Sequence, residues 1–154
     1  MTTFTEAFEE LAPELIAAAW DFLDRDPRVE VVWVYLTQED RVTVVDPFFR
    51  IDGDVYDHFD AAQLLGCDTS YEAQREMQDR QSDAVQAFAD SLESEEAPTR
   101  IIVRFRTADQ DFHAEFFHGE LQPGVAEEDY VTDLELMNRW FARLRETGND
   151  SAAL

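Results

Sequence analysis

Apolar residues near the start of the chain recur at alternating steps of three and four: Phe4, Phe8, Leu11, Leu15, Ala19 and Phe22. This spacing lays a single stripe along an amphipathic helix. Pro13 interrupts the stripe and predicts either a kink or a second helix beginning at the proline, where a first turn tolerates it. Asp26 and Pro27 close the helical region. Beyond them the period falls to two. Val31 to Leu36 and Arg41 to Val45 are rich in β-branched and aromatic residues and flank the polar stretch Thr37 to Asp40, which predicts a hairpin. Val31, Trp33 and Tyr35 share one face and Val32, Val34 and Leu36 the other, so this strand is expected to be covered on both sides and central in its sheet. Phe48 to Ile51, after Pro47, is expected to form a third strand ending in a turn at Asp52 and Gly53.

From Cys67 to Leu92 the period returns to that of a helix. Thr69 and Glu72 have capping-box spacing, and Met77, Ala84, Val85, Phe88 and Leu92 supply the buried stripe. Glu93 to Pro98 forms the exit linker. Arg100 to Arg106 and Asp111 to Phe117 predict a second hairpin around Thr107 to Gln110. With Arg106 opposite Asp111, Ile101, Val103 and Phe105 share a side with Phe112, Ala114 and Phe116, and Arg104 meets His113 on the other. After a loop through Pro123 and Gly124, Thr132 and Glu135 cap a last helix carrying Tyr130, Leu134, Met137, Phe141 and Leu144. Residues 1–147 are expected to form one domain, with a frayed tail from Gly148 to Leu154. Blocks of antiparallel strands separated by helices indicate an α+β fold, an antiparallel sheet of about five strands with helices packed against it.

Charge alters what such a domain can do. Thirty-five Asp and Glu face twelve basic residues, all of them arginine, for a formal charge of -23. The excess argues against nucleic-acid and membrane-surface partners. A hydrophobic content of 45% with twelve Phe and three Trp shows that the charge sits on a folded body rather than a disordered acidic chain. Arg100, Arg104 and Arg106 are the densest basic group, and their alternation with apolar residues makes them cross-strand partners for acids. One cysteine, Cys67, permits no intrachain disulfide, and the apolar runs are too short for a signal or a membrane span, so a soluble, cytoplasmic protein is expected.

Catalytic chemistry finds no pattern to rest on. The five glycines are scattered singly rather than clustered into a phosphate loop, and no serine sits in a nucleophile elbow. Cys67 could pair with His58, His113 or His118 only through the fold, and beside Gly66 it reads as a small packing residue. The carboxylate-rich stretch from Asp52 to Asp60 fails as a calcium loop, with Tyr56, Asp57 and Gln63 at the positions that should bear a ligand, a glycine and a bidentate glutamate. His113 and His118, five apart on one strand, would point to opposite faces. No catalytic residue, cofactor or metal is expected.

Three acidic stretches remain as candidate surfaces: Asp46 to Asp60, Asp90 to Glu96 and Glu127 to Asp129. The first interleaves acids with aromatics. Carboxylates speed and orient an encounter and aromatic anchors supply affinity, so Asp46, Asp52, Asp54, Asp57 and Asp60, with Tyr56 and Phe59, are the expected contacts for a basic protein partner. The order of elements, with the acidic Asp52 to Asp60 segment and Trp140 on the last helix, resembles the YezG-like immunity proteins, which partner toxin domains of bacterial polymorphic and contact-dependent systems. That resemblance implies stoichiometric neutralisation of a basic toxin domain, a nuclease by its charge, and carries over no defined binding residues. Two other expectations fit the same acidity: a DNA mimic that occupies a nucleic-acid-binding protein, and a domain whose charge is an adaptation to salt.

Overall fold

The computed structural model describes residues 3–39, 42–92 and 97–153. Helix α1 spans Phe4–Phe22, capped by Thr3 through the amide of Glu6. It runs unbroken through Pro13, which is exposed, while Leu11, Ala12, Leu15 and Ile16 on either side are buried. The ring therefore meets solvent rather than the sheet, and packing of the neighbouring turns outweighs one missing backbone bond.

Strands β1 (Val29–Glu39) and β2 (Val42–Ile51) follow, then β3 (Asp54–Asp57), β4 (Arg100–Arg106) and β5 (Asp111–Phe117). They form one antiparallel sheet in the order β3-β2-β1-β4-β5, with β1 at its centre as its two apolar faces require. Part of the expected turn at Thr37 to Asp40 is strand to Glu39, and Asp40 and Arg41 lie outside the described residues. The break expected at Pro47 does not occur. Proline is tolerated there because β3 pairs only with Phe48 to Ile51, leaving the outer edge of β2 without a neighbour at Pro47. The third strand is instead β3, reached by a two-residue turn in which Asp52 and Gly53 both have positive φ, 52° and 83°. That geometry matches the strand twist and explains why Asp-Gly stands here. The second hairpin has the expected register, Arg106 opposite Asp111 and Arg104 opposite His113.

Helices cover both faces. On one, α1, α2 (His58–Leu65) and α3 (Tyr71–Ser91) pack on Val32, Val34, Leu36, Phe49, Ile51, Ile101 and Val103. On the other, α4 (Asp133–Thr147) sets Met137, Trp140 and Leu144 against Val31, Trp33, Tyr35, Phe48 and Ile102. The cap of α3 is Ser70, not Thr69, because the Ser70 hydroxyl accepts from the Ala73 amide. The expected exit linker falls partly on residues 93–96, outside those described.

Two expectations about the C-terminal part are corrected. Tyr130 and Leu134 are exposed, and the buried stripe of α4 is Leu136, Met137, Trp140 and Leu144. The segment from Asn149 to Ala153 is not frayed but strapped to the sheet. Asp150 accepts from Trp33 Nε1 at 2.9 Å and Arg104 Nη1 at 3.0 Å, Arg100 donates to Ala152 O at 2.7 Å, and Ala152 is buried. Arg100 is itself buried without a carboxylate partner among the described residues; its guanidinium donates to Tyr35 Oη and lies over the Tyr35 and Phe117 rings.

Candidate functional site at the β3–α2 edge

The acidic stretch from Asp52 to Asp60 becomes three pieces of structure at one edge of the sheet: the Asp52–Gly53 turn, the edge strand β3, and the first turn of α2. Short strands bearing charge are how sheet edges resist pairing with other chains, and β3 has only four residues with Asp at both ends. Alternation sends Val55 into the core beneath α4 and turns Tyr56 toward the other helical layer, where it is half-buried. Asp57 caps α2 by accepting from the Asp60 amide at 2.8 Å. Ala61, Ala62 and Leu65 bury one side of this helix, and Gly66 ends it in the left-handed region at φ 73°.

The outer side of α2 is open to solvent. Phe59 is 40% exposed and Leu64 51%, with Asp60 and Gln63 exposed beside them. Of the seven residues expected to form the contact, Asp52, Asp54, Phe59 and Asp60 are thus free to face solvent. Asp57 is engaged in its cap, Tyr56 is half inside, and Asp46 is drawn inward by a histidine. Sequence reasoning missed α2 as a helix and with it Leu64. The available signal was Asp57 with Asp60 at the start and Gly66 at the end.

His58 ties this edge to the body. Its Nδ1 lies 3.4 Å from Asp46 Oδ1 on β2, and its Nε2 lies 3.0 Å from Gln74 Oε1 on α3. Gln74 Nε2 in turn donates to Thr69 O, so the amide oxygen is turned toward the ring. The ring edge meets Phe22 of α1 at 5.8 Å. Oxygen acceptors at both nitrogens suit the imidazolium, which donates from both. Burial opposes the charge, but the Asp46 carboxylate, the Gln74 contact and the nearby Asp57 outweigh it and raise the His58 pKa above its ordinary value.

A group whose pKa is raised by folding stabilises the fold fully below its unfolded pKa, about 6.5 for histidine, and loses that contribution as pH rises through the folded value. Asp46→Asn is therefore expected to lower stability by about 1 kcal/mol at about pH 6. The difference from the unsubstituted protein should shrink toward zero as the pH is raised. Urea midpoints across that range check it, and a pH-independent difference would sink the assignment.

The other candidates are placed apart. Cys67 is half-buried beside Asp24, Asp26 and Arg28; burial first, then the Asp24 and Asp26 carboxylates, push its thiol pKa up, the opposite of nucleophile activation. His113 lies on β5 opposite Arg104, and His118 falls beyond the end of that strand. Among the described residues no three His, Cys, Asp or Glu side chains converge as a metal-holding group. Arg106 pairs with Asp109 and Asp111, whereas Arg104 pairs with Asp150 of the C-terminal strap rather than across the sheet. No described helix is long and apolar enough to cross a membrane.

No family model matches the chain. No curated protein matches it either. The β3–α2 edge carries a helix held by its cap and by His58, with two exposed apolar side chains, Phe59 and Leu64, beside the exposed Asp60.

Proposed function

We propose that the protein works by stoichiometric binding of a basic protein partner, and that this partner is a toxin domain, of nuclease type by its charge, which the acidic chain neutralises as an immunity protein would. The observation that carries this reading is the outer side of α2, where Phe59, Asp60 and Leu64 are exposed, at the same sheet edge as the exposed Asp52 and Asp54. An acidic rim raises the encounter rate with a basic surface, and desolvated apolar anchors lengthen the life of the complex. The formal charge of -23 disfavours direct contact with nucleic acid and favours a surface evolved to meet it.

Affinity capture of the tagged protein from its own cells at low salt, eluted with high salt and identified by mass spectrometry, tests the reading. A stoichiometric basic protein is expected. Charge reversal of the three exposed acids, Asp52, Asp54 and Asp60, to Arg should weaken its binding by about 100-fold or more and flatten the salt dependence, since close interfacial charge pairs each contribute upward of about 1.5 kcal/mol. Asp57 is left intact because its reversal would also uncap α2. Undiminished binding by the triple variant would place the contact elsewhere.

A second reading is supported by the spread of acid beyond this edge. Glu6, Glu9 and Glu10 on α1, Glu72, Glu76, Asp79 and Asp83 on α3, and Glu127 to Asp129 are all exposed. Acid distributed over α1, α3 and the 127–129 segment fits a surface adapted to salt, with no partner needed. Recovery of no stoichiometric protein, together with a fold that melts as salt is withdrawn, would favour it.

A further inference from the structure

The sheet has two edges, and only β3 is protected by brevity and acid. The other, β5, is seven residues long with the sequence DFHAEFF and contains no proline. The direction of its backbone groups follows from β4. Thr107 N donates to Glu30 O, which turns residue 107 toward β1, and at the other end the Thr99 carbonyl accepts from Gln38 N while the Thr99 amide donates to Phe117 O of β5, a bulge beside the Arg100–Phe117 pair. By alternation Ile101, Val103 and Phe105 also face β1, and Arg100, Ile102, Arg104 and Arg106 face β5. Their partners Phe117, Glu115, His113 and Asp111 therefore face β4. The amides and carbonyls of Phe112, Ala114 and Phe116 point outward, and among the described residues they have no hydrogen-bond partner in another segment.

The sequence of this edge reads as its own complement. In an antiparallel pairing of two copies centred on Ala114, Ala114 faces Ala114, Phe112 faces Phe116, and His113 faces Glu115, each of the last two pairs occurring twice. The outward groups of Phe112, Ala114 and Phe116 then meet in reciprocal hydrogen-bonded pairs, and the smallest side chain sits on the two-fold axis. Moving the centre one residue either way sets Asp111 against Glu115 or Glu115 against itself, which like-charge repulsion disfavours. Aromatic packing continues across the seam. Phe112, 40% exposed, lies edge-on to Phe105 at 6.1 Å, and Phe116 is held by Phe4 at 5.3 Å and Phe8 at 4.9 Å. Pairing would bring Phe112 of one copy against Phe116 of the other and cover the half-exposed ring.

We propose that β5 is a dimerisation edge, joining two copies of this chain through two-fold β5–β5 pairing into one continuous sheet. Each copy carries a formal charge of -23, so the pairing is opposed by net repulsion that salt screens. Self-association should strengthen as salt rises, whereas binding of a basic partner at the β3–α2 edge should weaken, so the two assignments fail independently.

Sedimentation equilibrium of the full chain, from low salt to about 0.5 M, tests the proposal. The expected result is a mass moving from one chain toward two with salt and concentration. Ala114→Pro removes an outward amide while leaving every bond to β4, so it should weaken association at least about ten-fold with an unchanged unfolding midpoint. His113→Glu, which opposes Glu115 with a like charge, should also weaken association, and His113→Arg should tighten it. A monomer at every salt and concentration overturns the proposal. So does dimerisation of Ala114→Pro or His113→Glu at the unsubstituted strength, which would put the contact on another surface, and so does an edge that pairs only with an added β-strand peptide.

Discussion

Trp140→Ala is expected to lower the free energy of unfolding by about 3–5 kcal/mol, the range for truncating a fully buried large aromatic. The indole has no exposed surface and lies between Tyr35 at 5.3 Å and Phe48 at 5.4 Å, with Phe141 stacked on the same Phe48 ring at 4.6 Å. Only Leu136, Met137, Trp140 and Leu144 are buried on α4, so one residue provides much of what holds this helix to the sheet. Its truncation opens a cavity that neither the central strand β1 nor the paired β2 can close by moving, because both are fixed by hydrogen bonds to neighbours. Domains of this size are stable by about 5–15 kcal/mol, so the variant should unfold at far lower urea concentration with a similar slope. Trp140→Phe, which keeps the ring contacts and loses only the outer ring and the Nε1 bond to Asp150 O, should lose less than half as much. A loss under about 1 kcal/mol for the alanine variant would show that α4 is held by something other than this packing.

The sheet was legible where strand alternation and polar pairing agreed. The β4–β5 hairpin combined inward Ile101, Val103 and Phe105 with Arg106 facing Asp111, two independent constraints on one register, and the structure has that register. The two apolar faces of β1 likewise placed it at the centre. Helix α2 escaped because its buried side is built from Ala61, Ala62 and Leu65, too little apolar bulk over eight residues to stand out among the acids around it. On α4 periodicity could not choose between adjacent stripes, and the size of Trp140 decided which one turned inward. Leu134 was left outside because the large indole and Leu136 set the helix rotation.

The candidate site was legible as composition and not as geometry. Asp46 through Asp60 stands out as a run of carboxylates with aromatics, but sequence assigns no roles among like residues. Asp57 is spent on a local helix cap and Asp46 on a contact with His58, structural duties that leave Asp52, Asp54 and Asp60 to face outward. In sequence, His58 stands out only as a possible base for Cys67 and as one member of the carboxylate-rich Asp52 to Asp60 stretch. Its partners Asp46 and Gln74 are brought together by the fold from β2 and α3, a convergence with no local signature.

Asp150 shows the same principle at the other end of the chain, and its removal should be the second largest loss. The strap it belongs to has no apolar period, since Arg100 and Arg143 hold it by donating to the backbone carbonyls of Ser151, Ala152 and Ala153. Side-chain identity matters at Asp150, whose Oδ2 accepts from both Trp33 Nε1 and Arg104 Nη1. Trp33 is only 2% exposed, so without this acceptor its N–H has lost water and gained nothing. Leaving a buried donor unpaired costs about 1–3 kcal/mol, and Asp150→Ala should destabilise by about 2–3 kcal/mol, with the loss of the Arg104 pair adding little because that pair is partly exposed. Asp150→Asn keeps an oxygen for the indole and should lose about 1 kcal/mol or less. The indole N–H of Trp33 provides a local readout by hydrogen exchange: protection should fall in the alanine variant and persist in the asparagine variant. Equal loss in both would assign the stabilisation to charge on Arg104 rather than to the buried indole donor, and no loss in either would mean that the strap is held by its backbone contacts alone.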